Sequence, residues 1–149
     1  MPWRDYIVVE ELPELYRYIA AVVGRDAMIT LAQRLPKMNL YLRSPESVDL
    51  DKPISELPED YQLCINAIGV DATIRLANAL PGEIFYLKSY HSVFLPAKVK
   101  YIQAHFDGRN HKRLAMDTDL SQTYVYEALR YKKQGKELTQ STNQEREKS

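Results

Sequence analysis

Residues 11–48 and 56–93 are two versions of one segment, and this internal repeat limits the folds open to the chain more than any other feature. ELPELYRYIAAVVGRDAMITLAQRLPKMNLYLRSPESV, from Glu11, aligns without a gap on ELPEDYQLCINAIGVDATIRLANALPGEIFYLKSYHSV, from Glu56, at an offset of 56 − 11 = 45 residues. Leu12, Pro13, Tyr16, Gly24, Asp26, Ala27, Ile29 and Leu31 recur as Leu57, Pro58, Tyr61, Gly69, Asp71, Ala72, Ile74 and Leu76. Ala32, Leu35, Pro36, Tyr41 and Leu42 recur as Ala77, Leu80, Pro81, Tyr86 and Leu87. Two copies are fewer than a stacked solenoid needs, so the pattern predicts a duplicated subdomain.

Each copy reads as helix, glycine turn, helix and short strand. Ile19, Val22 and Val23 precede Gly24; Met28, Ile29, Ala32 and Leu35 then keep helical spacing until Pro36 stops the second helix. Extended segments are expected at Leu40–Arg43 and Ile84–Lys88, the latter rich in aromatic and branched residues. A lone strand leaves its main-chain donors and acceptors unpaired. The two strands must therefore pair with each other or with their equivalents in a second molecule.

After residue 93 the periodicity changes. Leu95, Val99, Ile102 and Phe106 recur at helical spacing behind Pro96, a residue suited to a first turn. Gly108 can end that helix and Asn110 can cap the next, which carries Leu114 and Ala115 on one face. A polar turn of Asp117, Thr118 and Asp119 leads past Leu120 to Ser121, an N-cap residue. The last helix sets Val125, Ala128 and Leu129 inward and leaves Gln122, Thr123, Tyr126 and Arg130 to face outward. This is a helix-turn-helix pattern with a third supporting helix. The expected fold is mainly α: tandem helix-helix-strand repeats forming a dimerisation region, then a C-terminal helix-turn-helix three-helix unit. The boundaries are an N-terminal segment at 1–10, repeats at 11–55 and 56–93, a DNA-binding domain at 94–134 and a disordered tail at 135–149.

The charge is unevenly distributed. The 149 residues are formally neutral, but residues 1–96 hold 9 Lys/Arg against 13 Asp/Glu and residues 97–133 hold 8 against 4, giving nets of −4 and +4. Positive charge on the helix-turn-helix segment is what phosphate neutralisation requires. Cys64, the single cysteine, lies among apolar residues in LCINAIG and reads as a core side chain. His91, His105 and His111 are dispersed, with no metal-ligand cluster, GxSxG elbow or phosphate loop, so the expectation is a non-enzyme without cofactor. No apolar run is long enough for a membrane span and no signal-peptide pattern opens the chain, which predicts a cytoplasmic protein. The tail KELTQSTNQEREKS lacks apolar periodicity.

The strand residues Ile84, Tyr86, Leu87 and Lys88 are followed by Phe106, Gly108, Arg109 and Asn110 at the entry to the helical unit, then Leu114, Val125 and Tyr126 within it. Over about Leu57 to Lys133 this combination resembles the Mor family of phage middle-operon transcription activators. The resemblance implies an N-terminal dimerisation domain, a helix-turn-helix binding double-stranded DNA at an imperfect inverted repeat, and activation by contact with RNA polymerase. It implies that Gln122, Thr123, Tyr124, Tyr126 and Arg130 belong to the recognition helix, with Arg109, Asn110 and Lys112 at backbone contacts. Asp119 stands where the family's turn has glycine, a change compatible with the left-handed region, and Glu127 places a carboxylate on the reading helix. The duplication leaves two arrangements: a pseudo-dimer within one chain, or an enlarged homodimer interface, which twofold DNA sites favour. The alternatives are a protein-interaction module of the same fold that does not read DNA, and a repressor.

Overall fold

The computed structural model describes residues 1–133 and is mainly helical, with eight α-helices and one two-stranded sheet among the described residues. The expected disordered tail lies outside the described residues. No helix among them is long and apolar enough to cross a membrane. The chain divides into two compact units, one of Val9–Val93 and one of Met1–Val8 together with the chain from Phe94 onward.

In the unit Val9–Val93, α1 (Glu14–Val23) and α2 (Arg25–Arg34) meet at Gly24, and α3 (Glu59–Ile68) and α4 (Val70–Ala79) meet at Gly69. Each glycine ends one helix and begins the next, with φ of 95° and 88°, a conformation that a side chain would strain. Leu35 and Leu80 close α2 and α4 just before Pro36 and Pro81. Ile19, Met28, Leu31, Ala32, Tyr61, Cys64, Leu76 and Ala77 are buried. Burying the large ones contributes roughly 1.5–3 kcal/mol each before ordering entropy is counted.

The strands are β1 (Met38–Tyr41) and β2 (Ile84–Leu87), and they pair antiparallel within the chain. Of the two pairings open to the sequence, the intramolecular one is realised. β1 begins and ends two residues earlier than the expected Leu40–Arg43, directly after a turn in which Lys37 takes φ of 60°. The register pairs Met38 with Leu87, Asn39 with Tyr86, Leu40 with Phe85 and Tyr41 with Ile84. Leu40 and Phe85 are 45 residues apart, so the repeat offset carries the ladder onto itself about that pair. The packing follows the same rule: α1 lies on α4, and α2 lies on α3. Tyr16 Oη accepts from the Lys88 amide at 2.8 Å, and Tyr61, its equivalent, donates to the carbonyl of Arg43, the equivalent of Lys88. Burial raises the phenol pKa of both tyrosines.

The other unit contains α6 (Leu95–His105), α7 (His111–Thr118) and α8 (Gln122–Lys133), while the short α5 (Tyr90–Val93) ends the first. Helix α6 packs on α7, α8 and the 3-10 turn Arg4–Tyr6. The N-terminal residues belong to this core: Trp3 and Ile7 are buried, and the Trp3 ring lies 5.8 Å from Phe94. The expected α6 stripe is half right. Val99 and Ile102 are buried, but Leu95 is only half-buried and Phe106 is 39% exposed, because the helix ends at His105 and Phe106 turns extended. Ala97, Lys98 and Tyr101 complete the inner face instead.

Candidate nucleic-acid interface

The entry to α7 is built by Asp107, whose Oδ1 accepts from the amides of Arg109 at 2.9 Å and Asn110 at 3.1 Å. Gly108 takes φ of 97° within this turn, three residues beyond the end of α6 and not at its cap. Asn110 precedes α7 but does not cap it through its side chain. Its Oδ1 accepts from the Asp107 amide at 3.1 Å and its Nδ2 donates to the His105 carbonyl at 2.9 Å. The reason is that the last carbonyls of a helix lack intrahelical donors, and Asn110 satisfies one at the end of α6. It braces the turn and is half-buried, whereas Arg109, Lys112 and Arg113 are exposed around the start of α7.

The turn between α7 and α8 is shorter than Asp117 to Asp119. Asp117 and Thr118 remain helical, and Thr118 is buried with its hydroxyl donating to the Leu114 carbonyl at 2.7 Å. Asp119 takes the left-handed conformation, φ 57° and ψ 39°. The Leu120 amide donates to Ala115 and the Asp119 amide to Met116, the paired bonds of a Schellman ending. Ser121 follows as a working cap, its Oγ accepting from the Tyr124 amide at 3.1 Å.

Helix α8 then divides cleanly. Val125 and Ala128 are buried; Gln122, Thr123, Tyr126 and Arg130 are exposed. Tyr124, Glu127 and Leu129 are half-buried, so Tyr124 borders the outer face and Leu129 borders the core. Tyr126 is 52% exposed while its ring rests 4.8 Å from that of His111, which ties it to the start of α7. Gln122, Thr123, Tyr126, Arg130, Arg109 and Lys112 thus all present surface. Polar, flat and cationic groups of this kind can meet base edges and phosphates.

Beneath the helices lies a lysine, a residue that hydropathy alone assigns to the surface. Lys98 is fully buried, with Nζ 5.0 Å from the centre of the Trp3 ring. Burial pushes its pKa down to about 8, against the opposing pull of the Asp119 carboxylate. Tyr101 donates to Asp117 Oδ2 at 3.1 Å, and burial, then that bond, raises its pKa. Its ring stacks 4.4 Å from His105, whose Nε2 lies 3.1 Å from Tyr6 Oη. The sequence signal for Lys98 was its place among Phe94, Tyr101 and Ile102 at spacings of four, three and four residues. Among the described residues, no group of three His, Cys, Asp or Glu side chains is gathered that could hold a metal.

The geometry stands without a known relative beside it: no protein-family model, no curated protein and no solved structure matches the chain.

Proposed function

We propose that the chain binds double-stranded DNA sequence-selectively and regulates transcription, with α7 and α8 as a helix-turn-helix and α8 as the reading helix. The observation that carries this reading is the split of α8 into a buried Val125–Ala128 side and an exposed side of Gln122, Thr123, Tyr126 and Arg130. Support comes from the cap at Ser121, the left-handed Asp119, and the exposed Arg109, Lys112 and Arg113 at the start of α7. A helix carrying Gln and Arg on its polar face has the donors and acceptors that major-groove edges require. Cations beside it set its register on the phosphates.

The intrachain pairing of β1 with β2 bears on stoichiometry. It satisfies the ladder that otherwise called for a second molecule, and so weakens the strand argument for a homodimer. In this reading the two repeats are a pseudo-dimer, each chain offers one reading helix, and an inverted repeat is filled by two chains. Recruitment of RNA polymerase, like membership of the Mor-like activators, rests on the sequence resemblance alone.

Binding to the promoter regions flanking its own locus, followed across salt concentrations, tests the reading. Specific binding should weaken as salt rises because condensed counterions are released on association. Gln122→Ala and Arg130→Ala should each lower the preference among sequences by about 1–3 kcal/mol, while Lys112→Ala lowers affinity evenly. Equilibrium mass should be that of one chain free and two chains on a palindromic duplex. Binding that is indifferent to sequence, or parental behaviour in all three variants, overturns the assignment.

A further inference from the structure

Among the positions where the two repeats differ, three lie close to the outer edge of β2. There, α1, the end of α4 and the approach to β2 frame an open groove of about 750 Å³, lined by Glu14, Leu15, Arg17, Tyr18, Ala79, Leu80 and Glu83. The outer edge of β2 faces α1, because the Lys88 amide reaches Tyr16 Oη. Main-chain groups two residues apart on a strand point the same way, so the Tyr86 amide and carbonyl point to that side as well. Among the described residues, no hydrogen bond outside the sheet's own ladder takes the Tyr86 amide.

The equivalent edge of β1 is closed. Tyr41, the counterpart of Tyr86, donates its amide to Asp60 Oδ2 at 2.8 Å. Asp60 is the counterpart of Leu15, so at β2 an aliphatic side chain stands where the cap would be. Ala79 stands where the first repeat has Arg34, whose guanidinium reaches across to the Asn66 carbonyl at 2.9 Å. Glu83 stands where the first repeat has Met38. The fold therefore does not require the groove. Three substitutions reshape it: Leu15 and Ala79 join the shared Leu80 in an aliphatic floor, and Glu83 adds a carboxylate to the rim. One side is closed by Tyr18, whose hydroxyl donates to the Ala79 carbonyl at 3.1 Å.

We propose that this groove is a docking site for an extended basic peptide, which joins β2 as a third strand. The peptide exchanges main-chain hydrogen bonds with Tyr86 and sets an aliphatic side chain against Leu15 and Leu80, the mode by which strands are added to sheet edges. Charge selects its flanking residues. Glu14 and Glu83 outnumber Arg17 on the rim, and residues 9–93 carry 8 Lys/Arg against 12 Asp/Glu, a net of −4. Lysine or arginine in the peptide meets that field, whereas a glutamate-bearing peptide is repelled.

The test uses the full chain and two end-capped six-residue peptides, one alternating Lys with Val and one alternating Glu with Val, followed by amide NMR shifts. The Lys/Val peptide should saturate below about 1 mM, shift the Tyr86, Leu15 and Ala79 amides, and leave Tyr41 unmoved. The Glu/Val peptide should bind at least ten times more weakly. Leu15→Asp with Ala79→Arg rebuilds the first repeat's closed edge and should abolish binding while circular dichroism stays parental. Glu14→Lys with Glu83→Lys should invert the preference between the two peptides. No binding by about 1 mM, equal shifts at Tyr41, or survival of binding in the closed-edge variant overturns the proposal. Tyr86 shifts that depend on protein concentration without peptide would assign the edge to a second copy, and overturn it too.

Discussion

In the unit Val9–Val93 each long helix has a counterpart 45 residues away and the strands are paired counterparts, and its buried polar groups include Thr73 and the phenols of Tyr16 and Tyr61. In the unit of Met1–Val8 and residues 94 onward, the three long helices have no such counterparts and an amine is sealed under an indole. The two units are therefore free to vary in different places. A pseudo-twofold core must keep equivalent residues compatible at its axis, so divergence is pushed to the rim, where Leu15 and Asp60, or Ala79 and Arg34, already differ. The asymmetric unit has no such constraint, and it concentrates exposed cations on one pair of helices.

The largest effects that separate the units concern equivalence itself. Leu31→Ala and Leu76→Ala, both fully buried and related by the offset, should each cost about 2–5 kcal/mol in denaturant unfolding. Their costs should agree within about 1 kcal/mol, within the context dependence of such cavities. A loss at one site alone would show that the repeats do not share one core.

Alkaline titration should push the units apart. Lys98 has its native pKa lowered from 10.5 to about 8, so the unfolded state holds the extra proton between those values. Stability of its unit is therefore lowest below pH 8 and rises toward pH 10.5, by up to about 3 kcal/mol. Cys64 has the opposite sign: burial pushes its thiol from 9.0 up to about 12, so the unit Val9–Val93 keeps this stability below pH 9 and loses it as pH climbs toward 12. Trp3 is the only tryptophan, and its fluorescence follows the Lys98 unit, while amide exchange follows the other. Lys98→Met should remove the rise between pH 8 and 10.5 in the first profile, and Cys64→Ala should lessen the fall in the second, leaving the losses above pH 10 that belong to Tyr101 and to Tyr16 and Tyr61. Parallel profiles in the two units would break the comparison.

Smaller effects sharpen it. Gly24→Ala and Gly69→Ala meet open space for the added carbon but keep a strained φ, so each should cost about 1–2 kcal/mol, equally. Ser121→Ala removes the cap of α8 and should cost about 1 kcal/mol, with Trp3 fluorescence reporting the loss.

The features written as local rules were legible in the sequence. Gly24 and Gly69 mark helix junctions because few other residues tolerate that backbone, and Ser121 and Asp119 declare a cap and a left-handed turn. The exposed side of α8 followed from Val125 and Ala128 at helical spacing. What depends on distant partners was not legible. Nothing in β1 names β2 as its mate, and Asn110 turned back to α6 because a carbonyl at His105 needed a donor. Trp3 and Ile7 entered the core from a segment without periodicity. Lys98 was hidden because hydropathy treats a lysine as surface, although its long aliphatic stem and a facing indole make burial tolerable.

Selection from a randomised duplex pool tests the DNA-reading claim most directly, run in parallel with the wild type and with a Gln122→Ala, Arg130→Ala double variant. The wild type should enrich one motif, and the variant, folded by circular dichroism, should lose preference at base positions within it. A pool that never departs from random, or the same motif enriched by both proteins, would contradict α8 as the surface that reads DNA.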